Sequence, residues 1–478
     1  MSNPLNSSYG KVLPVLLKGL TLAAGILYLV IMNCRNMLPV DSGDGLQHFS
    51  IAQEAFAHPL YLLDHWGKPL FTLLASPFAQ ISFKWYIGFN IIVYALTCLT
   101  AFRLFSFLKA GTGYYLLFPA LLVIVRDYTS GVLGGMTEPL FGLMIVLMIW
   151  SGFRKSWYWF AIIASFTLFS RSEGMFVILL ALPVLVFNGQ WKAIPFLATG
   201  FLVYAIIGWY ALDLFWWYFE LNPYSGPGYG KGVWHHYLDY RETHTGNLTL
   251  LLFPFGLFGL FLFVKKKMIP KSVYVILFGF GIYIGIIVIH SYLWTYGLRG
   301  SLGLTRIATL GLPGALMLTL VGCHYITREL HFLPNVLFFI LLSLGIKKEY
   351  KFLGYPNEPS PLDEIVFQAA DYTSEHYPHA RVHYYNPLVG WKMGIRIKDP
   401  DARVKQYFFN ADTITLNGMQ NGDIVIRDPA YGMEQGLPFD FIEKAGIFTE
   451  VKKFVATKPY SVYNNEPIEV HIYRIDKE

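Results

Sequence analysis

Two carboxylates, two imidazoles and a primary amine lie close together in Asp41-Ser42-Gly43-Asp44-Gly45-Leu46-Gln47-His48 and His65-Trp66-Gly67-Lys68-Pro69. A carboxylate can take the proton of a hydroxyl nucleophile, and a lysine or histidine can hold an anion. Further along come Thr137-Glu138-Pro139, Arg171-Ser172-Glu173-Gly174, and Arg299 and Arg306 within the stretch 298–306. Arginine presents a planar fork of donors suited to phosphate. Each residue also has a structural explanation. Asp41 or Ser42 can cap a helix, with Asp44 in its favourable first turn. Arg171 and Glu173 can close a tight turn as an ion pair, and Arg299 or Arg306 can snorkel. His235-His236-x-x-Asp239 has metal-ligand residue types, but adjacent histidines point in different directions on a helix. Asp41, Asp44 and His48 can also hold a divalent metal; no complete ligand set stands out, and no other cofactor is expected.

The elements that must position these groups are membrane helices. The chain of 478 residues is 54% hydrophobic and 17% aromatic, with only 14% charged residues, about half the share of a soluble domain. Apolar runs near the length needed to cross a bilayer recur as far as residue 346. Eleven crossings are expected, near 12–33, 86–108, 114–126, 132–150, 157–170, 174–188, 193–214, 248–264, 272–294, 306–322 and 331–346. The first is read as a retained helix, too long for a signal-peptide core. Glu138 would interrupt the fourth near its outer end. An acid at membrane depth is costly unless it is paired or wet.

The net charge of +6 divides unequally. Residues 1–346 carry 21 basic and 12 acidic residues, and the rest carry 16 and 19. With a cytoplasmic N-terminus, every inside connection is short and basic: Lys11 and Lys18, Arg103 and Lys109, Arg154 and Lys155, Lys192, Lys265–Lys267, Arg328. All acids of this part except Glu329 then fall outside. The basic excess therefore sets topology, and nucleic-acid binding is a poor reading of it. Three cysteines at positions 34, 98 and 323 have no disulfide or metal spacing.

In the first outer loop, Asp44–His58 has helical spacing. Leu46, Phe49, Ala52 and Phe56 share one side; Asp44, Gln47, His48 and His58 share a polar side expected to face a cavity. Pro69–Phe83 is a second such interfacial segment. The stretch 223–230 reads as a lid or sugar-stacking loop, and His290 as a helix-end residue. From Lys347 a soluble α/β domain is expected, with a helix over Pro361–Tyr377 and strands at Arg381–Tyr385, Val404–Phe408, Asp423–Arg427, Thr449–Phe454 and Glu469–Tyr473. The domains are thus 1–346, transmembrane, and 347–478, extracytoplasmic.

Four features carry a family resemblance. They are the acid pair Asp41 and Asp44, the Lys68-Pro69 step before a surface helix, the turn Arg171-Ser172-Glu173-Gly174, and Arg306 leading a late helix. In these the chain resembles the GT-C superfamily of polytopic glycosyltransferases, most closely the bacterial relatives of protein O-mannosyltransferases and the aminoarabinose transferase of lipid A. It departs from the family in having Gly45 after Asp44, and Leu70 where a second proline is common. The resemblance implies a multi-pass protein of the bacterial inner membrane. It would move a hexosyl, mannosyl or aminoarabinosyl group from a polyprenyl-phosphate donor to a glycan, lipid or protein acceptor hydroxyl, with inversion at the outer face. It implies Asp44, or else Asp41, as base. Arg306, Arg171, Lys68, His65 and Arg299 would hold the donor phosphate, with Glu138, Glu173 and His48 lining the cavity. Two other readings compete. A lipid-linked saccharide flippase or transporter would place polar groups at mid-membrane and show repeats. A polysaccharide polymerase or ligase would share the donor but use an arginine-led site.

Overall fold

The computed structural model describes residues 5–109, 112–223, 230–265, 273–299, 301–328, 345, 347, 358–395, 405–406, 419–430, 437–457 and 468–477. Two compact units are present: one of Met1–Arg35 with Leu60–Tyr355, the other of Asn36–Pro59 with Pro356–Glu478.

The larger unit is helical: α1 (Leu5–Arg35), then, beyond α2 (Asp44–Glu54) of the other unit, α3 (Pro69–Ala79), α4 (Phe83–Phe107), α5 (Thr112–Ile124), α6 (Arg126–Leu133), α7 (Glu138–Phe153), α8 (Trp157–Ser170), α9 (Gly174–Phe187), α10 (Thr199–Leu212), α11 (Asn247–Lys265), α12 (Val273–Tyr296) and α13 (Leu312–Arg328). Among the described residues, four stretches are long and apolar enough to cross a membrane: Lys18–Arg35, Phe83–Phe107, Trp191–Leu212 and Phe278–Tyr296. Five shorter apolar helices accompany them, and α6 and α7 form a pair bent by 112°. The eleventh expected crossing, and most of the expected 223–230 lid, lie outside the described residues.

Hydroxyls inside these helices bond to their own backbone, as an apolar surround demands. Thr97 donates to the Val93 carbonyl at 2.8 Å, and Thr319 to that of Ala315 at 2.8 Å. Contact between α11 and α13 depends on small residues. A Cβ on Gly259 would lie 2.0 Å from the Gly322 carbonyl oxygen, and one on Gly322 1.9 Å from that of Gly256. Close backbone approach of this kind is the usual basis of helix association in lipid.

The smaller unit has a five-stranded sheet in the order β2-β1-β3-β5-β4, from β1 (Val382–Tyr384), β2 (Lys405–Gln406), β3 (Ile424–Arg427), β4 (Phe448–Val455) and β5 (Glu469–Ile475). β1 is parallel to β2 and β3, while β5 runs antiparallel to β3 and β4. α14 (Pro361–His376) packs on β4 and β5 and opens with a capping box of Ser360 and Asp363. α15 (Pro387–Lys392) follows β1, and α16 (Phe439–Ala445) precedes β4. The sequence grouped α2 with the membrane part; its packing is with α15, in the unit of the C-terminal sheet.

Candidate active site

A buried charge network lies where α7 begins and α8 ends. The Glu138 Oε1 atom is 2.9 Å from Arg171 Nη1 and 3.3 Å from Arg306 Nε. Arg171 also grips Glu173 in a fork, Nε to Oε2 at 3.3 Å and Nη2 to Oε1 at 3.2 Å. Its Nη1 donates to the Thr137 hydroxyl at 2.9 Å. The His290 Nε2 atom stands 3.3 Å from Glu173 Oε1. Glu138 is 1% exposed and Arg306 20%, so the carboxylate is sunk beneath the arginines. Burial raises the Glu173 carboxyl, but Arg171's charge and the His290 contact outweigh it and hold the group well below the usual carboxylate range.

Glu138 was expected to interrupt a helix; it is instead the first residue of α7. The bend between α6 and α7 sets that buried helix start, and α4 holds the bend in place. Tyr86 donates its hydroxyl to the Gly135 carbonyl at 2.7 Å, and Asn90 donates to the Met136 carbonyl at 2.8 Å. Gly135 has φ +71°, and a Cβ there would meet the Tyr86 ring at 2.3 Å. Only glycine fits both conditions. Gly174 has a different reason. A Cβ there would lie 2.2 Å from the Leu168 nitrogen and the Thr167 carbonyl carbon, so the turn from α8 into α9 closes only without a side chain.

Arg306 sits in a 3₁₀ turn, Thr305–Leu310, ahead of α13. The segment 232–246 fastens the chain just before it. His236 donates through Nε2 to the Gly303 carbonyl at 2.6 Å, and Tyr237 donates to that of Leu304 at 3.3 Å. His235 turns the other way, to Asp239 at 2.5 Å. The two adjacent histidines therefore diverge, as helical geometry requires. Arg299 is exposed, in the turn after α12, and stands apart from the network.

Lys68 and His65 form a second group in the same unit. Lys68 is buried with φ +64°, an uncommon conformation for a side-chain-bearing residue. Its ammonium donates to the His65 carbonyl at 3.2 Å. The His65 ring packs on Tyr218 with centroids 4.2 Å apart, and Tyr218 donates to the Leu168 carbonyl at 2.8 Å. The turn is thereby tied to α8 just ahead of Arg171. Burial, aided by the Lys68 charge, lowers the His65 pKa to about 3, so the ring is neutral at physiological pH.

In the smaller unit, Asp41 Oδ1 accepts from the backbone N–H of Gly43 at 3.1 Å and of Gly45 at 2.9 Å. It satisfies the exposed donors at the start of α2, the capping role weighed for it. Asp44 is the first residue of α2 and is part-exposed. Of the polar side expected to face a cavity, Gln47 and His48 are buried along with Leu46, Phe49 and Ala52, Asp44 and His58 are part-exposed, and Phe56 is exposed.

His290 was misread. It lies inside α12, not at its end, and joins the network through Glu173. A lone histidine in the apolar run 282–294 was the available signal.

No family model matches the chain, and no curated protein matches it by sequence. Its structure is similar to the crystal structure of ArnT from Cupriavidus metallidurans in the apo state, at TM-score 0.60 and 12% identity, covering 97% of this chain and 98% of that one. It is also similar to ArnT from the same organism bound to undecaprenyl phosphate, at TM-score 0.57 and 11% identity, covering 95% and 97%. The chain therefore shares the fold of ArnT over nearly its whole length.

Proposed function

We propose that this protein is a membrane glycosyltransferase that moves a sugar from a polyprenyl-phosphate donor to an acceptor hydroxyl, with inversion. The observation that carries this is the likeness of nearly the whole chain to ArnT, including a structure that holds undecaprenyl phosphate. The network of Arg171, Arg306, Glu138 and Glu173 supplies the chemistry the reaction needs. Once the sugar leaves, the lipid phosphate departs as a stable anion, so fixed cations matter more than a proton donor. Arg306 and Arg171 are assigned to that phosphate, with Lys68, His65 and Arg299 as lesser contributors. Glu138 and Glu173 act as positioning residues that hold the guanidiniums in a set geometry before the donor arrives. Asp44 is the proposed base. Asp41 ranks second because its carboxylate already serves the start of α2.

The proposed topology has eleven crossings, a cytoplasmic N-terminus and an extracytoplasmic region from residue 347. Its support is the basic inside connections and the one-sided acids. Purified protein incubated with a panel of polyprenyl-phosphate sugars should release the lipid phosphate with at least one donor. Asp44→Asn should abolish that release while membrane insertion stays normal, and near-normal turnover by the variant would remove Asp44 as base. Arg306→Ala should raise the donor KM; unchanged KM and kcat would return Arg306 to a structural role.

A further inference from the structure

A cavity of about 960 Å³ lies at the other end of α7 and α8, between α1, α4 and those two helices. Lys18, Arg103 and Arg154 converge on it, and no acid lines it among the described residues. Lys18 reaches across to the Ser106 hydroxyl at 3.4 Å, and the Arg154 guanidinium lies 5.5 Å from the centroid of the Trp150 ring. Leu22, Leu99 and Trp159 make the rest of the wall apolar. α7 runs 16 residues from Glu138 to Phe153, or about 24 Å at 1.5 Å per residue. The cavity and the carboxylate network thus stand on opposite faces of the bundle.

Ordinary rules explain each cation alone. The positive-inside bias puts basic residues on this face under the proposed topology, and a helix C-terminus favours Arg154. Neither rule gathers three of them around one aromatic-walled space, nor turns a lysine across that space toward a serine. We infer that this cavity binds an amphiphile with a phosphate headgroup, its phosphate held by Lys18, Arg103 and Arg154 and its chains lying along the apolar wall. Basic pockets between membrane helices on the cytoplasmic side recognise anionic lipids on the same physical grounds. The volume suits a headgroup and the first part of its chains rather than an inorganic ion. Two sources share this chemistry: an anionic glycerophospholipid of the leaflet, and a polyprenyl phosphate. The site is independent of the transfer reaction proposed above.

The test is native mass spectrometry of the delipidated full-length chain in detergent, titrated with phosphatidylglycerol, phosphatidylcholine, undecaprenyl phosphate or inorganic phosphate. A one-to-one phosphatidylglycerol complex at least tenfold tighter than the phosphatidylcholine complex is expected. Arg103→Gln/Arg154→Gln should lower that affinity at least tenfold. Both arginines are exposed, so the melting temperature should not change; if this variant does not fold, Lys18→Gln, expected to weaken binding severalfold, decides instead. Displacement of phosphatidylglycerol by undecaprenyl phosphate assigns the site to the carrier lipid, and failure to displace assigns it to the glycerophospholipid. Displacement by inorganic phosphate alone, equal affinity for the two glycerophospholipids, or unchanged affinity in the arginine variant (in Lys18→Gln where that one decides) overturns the inference.

Discussion

The two ends of α7 and α8 treat positive charge in opposite ways. At the Glu138 end, Arg171 and Arg306 are tied to carboxylates by contacts of 2.9 to 3.3 Å, and one of those carboxylates is almost fully buried. At the Arg154 end three cations face a cavity with no acid in its lining among the described residues. Buried charges need partners, because desolvation of a lone ion costs several kcal/mol; exposed cations near a membrane surface do not. The first arrangement fixes guanidiniums in place before a ligand arrives, as stabilising charge that forms during a reaction requires. The second suits simple attraction of an anion.

Removing the pairing should have the largest effect. Glu138→Ala leaves two arginines without their shared counter-charge. It should cut sugar transfer about 100-fold or more and lower stability by about 3 kcal/mol, read from release of lipid phosphate and from denaturation. If transfer stayed near normal, the paired end would be structural only. Arg171→Lys tests whether the fork matters beyond the charge. A lysine cannot bridge Thr137, Glu138 and Glu173 together, so transfer should fall roughly tenfold to 100-fold, about 1.4 to 3 kcal/mol.

Gly174→Ala probes the turn that carries Arg171 and Glu173. The added methyl would meet backbone atoms at 2.2 Å, and a loss of about 1–3 kcal/mol is expected in the melting transition. The pH response should be smaller and separable. His65 titrates near 6.5 when unfolded but at about 3 in the fold, so the unfolded chain binds the extra proton between those values. Its stabilisation is complete above about pH 6.5 and is lost as pH falls toward 3. Glu173, held low, adds an acid loss that begins only below about pH 4.3. Melting temperatures between pH 7 and 5 should therefore decline in the wild type and decline less in His65→Gln. At the cavity end, Arg154→Gln should change stability by no more than about 0.5 kcal/mol. A larger loss would show that the cavity's cations support the fold as well.

Much of the fold was legible in the sequence. Long apolar runs mark helices, and β-rich runs bounded by turn residues anticipated all five strands near their observed positions. Those signals are local: side-chain hydrophobicity and backbone preference act over a few residues. Boundaries shifted wherever a bend depended on distant partners. Glu138 moved from within a helix to its start because Tyr86 and Asn90 of α4 hold the preceding backbone. The site was legible as residue types, since Arg171, Glu173, Glu138 and Arg306 were all candidates; their mutual distances were not, and His290 was missed as a partner of Glu173.

By itself, then, the sequence determined that this is a helical membrane protein with a folded C-terminal region, and that acids and bases are sorted along the chain. Composition and periodicity suffice for that, because the bilayer penalises every unsatisfied polar group in the same way. Only the tertiary structure decided that Arg171 and Arg306 share one carboxylate, and that α2 packs on α15 in the unit of the C-terminal sheet. These depend on contacts between residues tens to hundreds of positions apart, and no local preference encodes such a meeting.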